Sequence, residues 1–342
     1  MMSNKYPVLF TACIFTIVSM NLHAKKIVTP KLNEGFERCT KIFQGKVAPL
    51  IMNPKLSKNT YPICFTGFAV NYSGVSKTGL FSAEFITPES LQKAKQLSRE
   101  DSFHEERRIP EKYRSLLSDY RGSGYDRGHL SANGNRYSRV DQHESFSLAN
   151  IIPQAPVNNQ EKWRKIEEAT RTIVTKTRQP VYIITGSLFL NKKTKKIGKG
   201  VLVPSHIYKV VYYPTFGVAS AYVSVNDNNA QTDITTVMQL QQHSGITFFP
   251  AISDISLLSK RYALPLSANA AYKMNEFRLI NSSHTAIFET MPESLISPSS
   301  SRKNNDNNDK KSHQDQKKII ADLNKEYESS IKQATSVIKS IF

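Results

Sequence analysis

The chain predicts an α+β fold with a central, mainly antiparallel sheet flanked by helices. Three observations predict it. Apolar strand-like runs recur at Ile63 to Tyr72, Val181 to Leu188, Ile207 to Tyr213 and Val218 to Val225, and they are rich in β-branched and aromatic residues. Helical patterning lies near Glu89 to Leu97, Lys162 to Lys176 and Asp233 to Gln242. The 342 residues hold no internal repeat and are enough for one large domain with its own core.

From the N-terminus, Lys5 precedes an apolar stretch from Val8 to Met20 and then Leu22-His23-Ala24, the pattern of a signal peptide over residues 1–24. That stretch is too short for a membrane span, and nothing later approaches one, so an exported enzyme, periplasmic or secreted, is expected. Cys39 and Cys64 are the two cysteines beyond it; in an oxidising compartment they are expected to pair. The body, 25–296, ends where Ser-Pro-Ser-Ser-Ser opens a polar stretch without apolar periodicity. Residues 297–318 therefore read as a disordered linker. Beyond it, Ile319, Leu323, Tyr327, Ile331, Ala334 and Ile338 recur at three- and four-residue steps, which predicts an amphipathic helix over 319–342. Packing on the body or self-association as a homodimer is the expectation for that helix, with membrane-surface docking or binding an inhibitor or other partner as the sharper alternative.

The chemistry-bearing residues cluster in mid-chain. Tyr125-Asp126-Arg127-Gly128-His129-Leu130 reads as the end of a strand. Pro153 and Pro156 keep Asn150 to Pro156 extended or turning, and a helix follows from Asn159. His129 is the base candidate, because imidazole alone among side chains has an unperturbed pKa near neutrality. Arg127 could fork onto phosphate oxygens. Asn159 offers one neutral oxygen, which suits magnesium, an ion that keeps most of its waters; manganese is the alternative. Asn159, Trp163, Glu167 and Arg171 are spaced four apart, so on a helix they follow one slowly drifting stripe that would face a single cleft. Each has a bland counterpart: Glu167 with Arg171 as a surface ion pair, Asn159 as a helix cap, and Trp163 as a packing anchor.

This constellation resembles the DNA/RNA non-specific endonuclease family, whose active site is a ββα-metal finger. The D-R-G-H signature stands at Asp126 to His129, the N-I-x-P-Q stretch at Asn150 to Gln154, and the N-Q-x-x-W-x-x-x-E-x-x-x-R segment at Asn159, Gln160, Trp163, Glu167 and Arg171. The similarity runs from about Cys39 to about Ile252. It implies His129 as general base, Asn159 as metal ligand, Glu167 as organiser of the metal's waters, and Arg127 and Arg171 as phosphate clamps. Asn150 and Gln154 would support the site, with Gln154 and an upstream Arg99 as substrate contacts. It also implies 5′-phosphate products. Many relatives continue D-R-G-H with an L-A-P-A-like sequence, whereas this chain has Leu130-Ser131-Ala132-Asn133, a loop without the proline constraint.

A formal net charge of +18 agrees with a polyanionic substrate, either DNA or RNA, and residues 25–298 keep +14 of it. The competing class is a catalytically silent nucleic-acid or polyanion-binding protein on the same fold. Binding alone would need the arginines and lysines but not His129, Asn159 and Glu167. The cluster Lys192, Lys193, Lys195, Lys196 and Lys199 is expected to form a loop.

Overall fold

The computed structural model describes residues 32–281 and 286–289; the leader, linker and C-terminal helix expected above lie outside them. The central sheet has seven strands. They are β1 (Thr60–Cys64), β2 (Phe68–Ser73), β3 (Thr78–Ile86), β6 (Val181–Leu188), β7 (His206–Tyr213), β8 (Val218–Val225) and β9 (Thr232–Thr235). Outside the sheet, β4 (Asp126–His129) and β5 (Ile151–Gln154) form a separate two-stranded ribbon. The sheet order is β9-β8-β7-β6-β3-β2-β1, antiparallel throughout, so the predicted class is the observed one.

Period-two alternation sorts the two faces. On β7, Ile207, Val211 and Tyr213 turn toward one core, while Tyr208 and Val210 turn toward the other. After α1 (Pro88–Ala94) and α2 (Arg139–Ser145), the first core is covered by α3 (Arg164–Thr177), which buries Ile166, Ala169, Ile173 and Val174 against Val181, Ile183 and Ile207. The second is covered by the N-terminal segment, through Phe36 and Phe43, and by α4 (Val237–Ser244), through Val237 and Leu240. The expected disulfide is present: Cys39 and Cys64 are joined with a Cα–Cα separation of 5.7 Å, tying the N-terminal segment to β1. No helix among the described residues is long and apolar enough to cross a membrane.

Four local expectations are revised. Ile63 to Tyr72 is a hairpin rather than one strand, because the chain turns at Phe65, whose N–H bonds the Phe68 carbonyl. Thr78–Ile86, unmarked in the sequence reading, is the longest strand; its buried Ser82 and Glu84 break the apolar pattern that would have announced it. Asp233 lies in β9 rather than a helix. The helix begins at Val237, where Thr236 Oγ1 accepts the Gln239 N–H. Lys196–Ile197 pairs with Val201–Leu202 in a small hairpin inside the lysine-rich loop.

Candidate active site

Ribbon and helix together build the site. β4 and β5 pair antiparallel, with Asp126 opposite Gln154 and His129 opposite Ile151. Pro153 is tolerated because the ribbon has only two strands and needs no second ladder there. A Cβ on Gly128 would collide with the Gln154 side chain, which explains the glycine in the motif. The chain then enters helix through a π turn, Asn158–Trp163, before α3.

Asp126 links the two parts. Its Oδ2 accepts Nδ2 of Asn159 at 2.9 Å and Nε2 of Gln160 at 2.8 Å. A carboxylate can only accept, so the nitrogen of the Asn159 amide must face Asp126 and its oxygen is turned to the other side. Asp126, Arg127 and Asn159 line a cleft of about 530 Å³ together with Phe103, Arg121 and Tyr125. Asp126 belonged to the motif without an assigned role. The structure makes it the group that orients the amide.

His129 is partly buried between aromatic rings, 5.1 Å from Phe146 in an edge-on arrangement and 5.6 Å from Phe103. Its Nε2 is sealed from solvent without a partner. Burial first, then the guanidinium of Arg99, drives its pKa from 6.5 down to about 3; Arg136 and Arg127 add to this and Asp101 opposes it. Phe103 also carries the Arg127 guanidinium 4.1 Å above its ring, so one side chain steadies both the base candidate and a phosphate-binding candidate. Arg99 stands over Phe146 at 5.4 Å and pairs with Asp101. The structure therefore brings Arg99 to the neighbourhood of His129.

Asn150 is fully buried. It donates to the Ser131 and Ser145 carbonyls and accepts the Ser131 N–H, clamping the loop that follows His129. Gln154, expected to touch substrate, has no exposed surface, and its Nε2 instead reaches Asn158 Oδ1 at 2.7 Å. Its place in the ribbon's buried seam is the physical reason for that correction.

Glu167 and Arg171 are not the surface ion pair of the bland reading; the pair on this helix among the described residues is Arg164–Glu168. Glu167 has its pKa raised by burial, opposed by the cations of Lys209 and Arg171. Lys209, 1% exposed, donates to Thr185 Oγ1 at 2.8 Å and lies 5.5 Å from the centre of the Trp163 ring. Nearby, Glu84 Oε2 accepts from Ser131, Asn135 and Arg136, while Arg136, itself buried, also pairs with Asp141 at 3.1 Å. No sequence spacing marked Lys209, Glu84 or Arg136. Arg171 bonds Asn135 Oδ1 and lines a different cleft from Asn159, so the four-residue stripe does not face one cleft as expected. His104 and His143 stack at 4.4 Å, and Ser102 bonds both.

No group of three or more His, Cys, Asp or Glu side chains among the described residues could hold a metal ion. The Asn159 amide oxygen is oriented within a cleft that Asp126, Arg127 and aromatic rings also line. It fits a hard divalent ion that keeps its waters and does not fit a thiolate- or imidazole-bound one.

A ββα ribbon and helix carrying histidine, arginine and asparagine beside a cleft defines a metal-dependent phosphodiesterase class. Residues 50–255 match the DNA/RNA non-specific endonuclease family, and the chain belongs to it; it is an endonuclease. It is 33% identical over 215 residues to mitochondrial Endonuclease G of Bos taurus, covering 57% of this chain and 69% of that protein. Nuclease C1 of Cunninghamella echinulata is 31% identical over 211 residues, covering 56% and 83%. A solved EndoG chain, from a structure of the EndoG/EndoGI complex, superposes with a TM-score of 0.52 at 28% identity, covering 59% of this chain and 91% of that one.

The expectation of a periplasmic or secreted enzyme is overturned by these relatives. The Endonuclease G proteins of Bos taurus and Homo sapiens and the nuclease of Saccharomyces cerevisiae are all named as mitochondrial, which points away from secretion.

Proposed function

We propose that the chain hydrolyses phosphodiester bonds of DNA and RNA with little sequence preference, using magnesium held by Asn159 Oδ1 and leaving 5′ phosphates. The observation that carries this reading is the double acceptance by Asp126, which ties the Asn159 amide to the strand bearing Arg127 and His129. When bound, the ion would stabilise charge developing on the phosphate and leaving oxygen.

The protein's own residues do the rest. Nε2 is sealed from solvent, so the other ring nitrogen, Nδ1, is given the task of taking a proton from the attacking water. Arg127, held on Phe103, and Arg99 receive the scissile phosphate. Glu167 would order the waters of a bound ion, with Lys209 favouring its ionised form. Asn150 and Gln154 hold the scaffold rather than the substrate. EndoG was solved with EndoGI, and a protein inhibitor that covers the cleft belongs to the same proposal.

The test is degradation of plasmid DNA and structured RNA in magnesium, alongside His129→Ala and an EDTA control. Cleavage by the wild type and its loss in both controls, with nucleic-acid binding retained, is expected. Tight, salt-sensitive binding without cleavage across several divalent ions would instead establish a silent polyanion-binding protein.

A further inference from the structure

A second cleft, of about 610 Å³, opens along the far end of α3 and is lined by Lys95, Arg171, Lys176 and Arg178, with Glu168 and the aromatic ring of Tyr272. Among the described residues, none of its cations is within ion-pair distance of a carboxylate. Glu168 is occupied by Arg164, and Lys176 donates only to the neutral Tyr272 and Met274 carbonyls, at 2.6 Å each. Those two bonds also anchor the short helix Ala268–Lys273 beside α3, which sets Tyr272 at the rim with 68% of its surface exposed. An exposed aromatic ring next to three further cations matches how proteins hold single strands: phosphates on cations and a base on a ring face.

We propose that this cleft binds the nucleic-acid strand flanking the scissile bond, with phosphates on Lys95, Arg171 and Arg178 and a base stacked on Tyr272. The proposal rests on the nuclease reading above and extends its substrate path. Arg171 joins the two regions, since its guanidinium bonds Asn135 in the loop that follows the His129 strand. Twelve residues of helix separate Arg171 from Asn159, roughly 18 Å at ~1.5 Å per residue. At ~3.4 Å per nucleotide that is about five nucleotides, so a shorter substrate ends before it reaches the cleft.

The experiment compares cleavage of a tetranucleotide and of a single strand of about 30 nucleotides, over a range of salt, by wild type, Lys95→Gln/Arg178→Gln and Tyr272→Ala. Urea midpoints equal to wild type confirm that both variants fold. For the long strand, the double variant is expected to raise KM and reduce the salt slope by about 1.4, at ~0.7 per lost phosphate contact. Tyr272→Ala is expected to raise KM about tenfold with the slope unchanged. Tetranucleotide kinetics and kcat on both substrates stay at the wild-type value. Equal effects on the two lengths, or no effect on either, would overturn the assignment. A wild type that cuts neither substrate sinks the nuclease reading itself, a result distinguishable from failure of the cleft alone.

Discussion

Holding His129 neutral should be measurable as a large displacement of its titration. The ring's pKa falls from 6.5 to about 3, mainly through burial, with the Arg99 guanidinium the largest charge contribution. A gap of about 3.5 units corresponds to on the order of 5 kcal/mol against the imidazolium, at ~1.36 kcal/mol per unit. The sign follows from proton counting. Between pH 6.5 and 3 the unfolded chain binds a proton at this position and the folded chain does not, so stability attributable to His129 is full above 6.5 and drains as pH falls toward 3. The same displacement removes an ionisation near 6.5 from the acid limb of kcat/KM. The assay is ¹⁵N NMR titration of the imidazole in metal-free protein, repeated with Arg99→Gln and with a phosphorothioate oligonucleotide bound. Arg99→Gln should raise the pKa by deleting the largest charge contribution. Bound phosphodiester should raise it too, because an anion on Arg99 and Arg127 offsets two cations that depress it. A free-enzyme value between 6 and 7, or no response to Arg99→Gln, would refute the account of how the base is set.

Three further outcomes are expected. Arg136→Met leaves Glu84 and Asp141 buried without their shared cation, and should cost about 3–5 kcal/mol in urea unfolding, whereas a surface replacement such as Arg164→Met should cost under about 1 kcal/mol. Lys209→Met removes the largest charge contribution that lowers the Glu167 pKa, so the carboxyl titrates still higher; the acid limb of the pH–rate profile should move to higher pH, with Lys209→Arg restoring it. Replacing both Cys39 and Cys64 with serine opens a closure spanning 25 residues and should cost about 3 kcal/mol, read as a lower urea midpoint with cleavage retained at low temperature.

Much of the fold was legible because its strands bury both faces in a regular way. Val181–Leu188, His206–Tyr213 and Val218–Val225 are β-branched and aromatic, and they announce themselves as strands. The nine-residue strand Thr78–Ile86 was not legible, because Ser82 and Glu84 sit inside it as buried polar groups, and the partners of Glu84 come from a loop about fifty residues away. Nothing local distinguishes that glutamate from a solvated one. The hairpin at Phe65 was hidden for the opposite reason: only Thr66 and Gly67 separate the apolar residues Ile63 to Phe65 from Phe68 to Val70, a break short enough to be read through as one strand.

The site shows where periodicity stops being sufficient. Four-residue spacing placed Asn159, Trp163, Glu167 and Arg171 on one stripe, and the residue types were right, but the stripe assumed a uniform α-helix. A π turn spans Asn158–Trp163, so the first step is wound more loosely than the later ones, and the amide can turn out toward Asp126 while Trp163 turns in. Trp163, 1% exposed, then separates what lies above the helix from what lies beneath it. Beneath it, Lys209 is a cation with no exposed surface to speak of and no carboxylate among the described residues within 4 Å. A charge in that position is costly unless it acts on other charges. Glu167 and Glu84 are the carboxylates that raise its pKa. The helix is thus electrostatically coupled to the sheet through a lysine on β7, a coupling that belongs to tertiary packing and leaves no trace in the spacing of the motif.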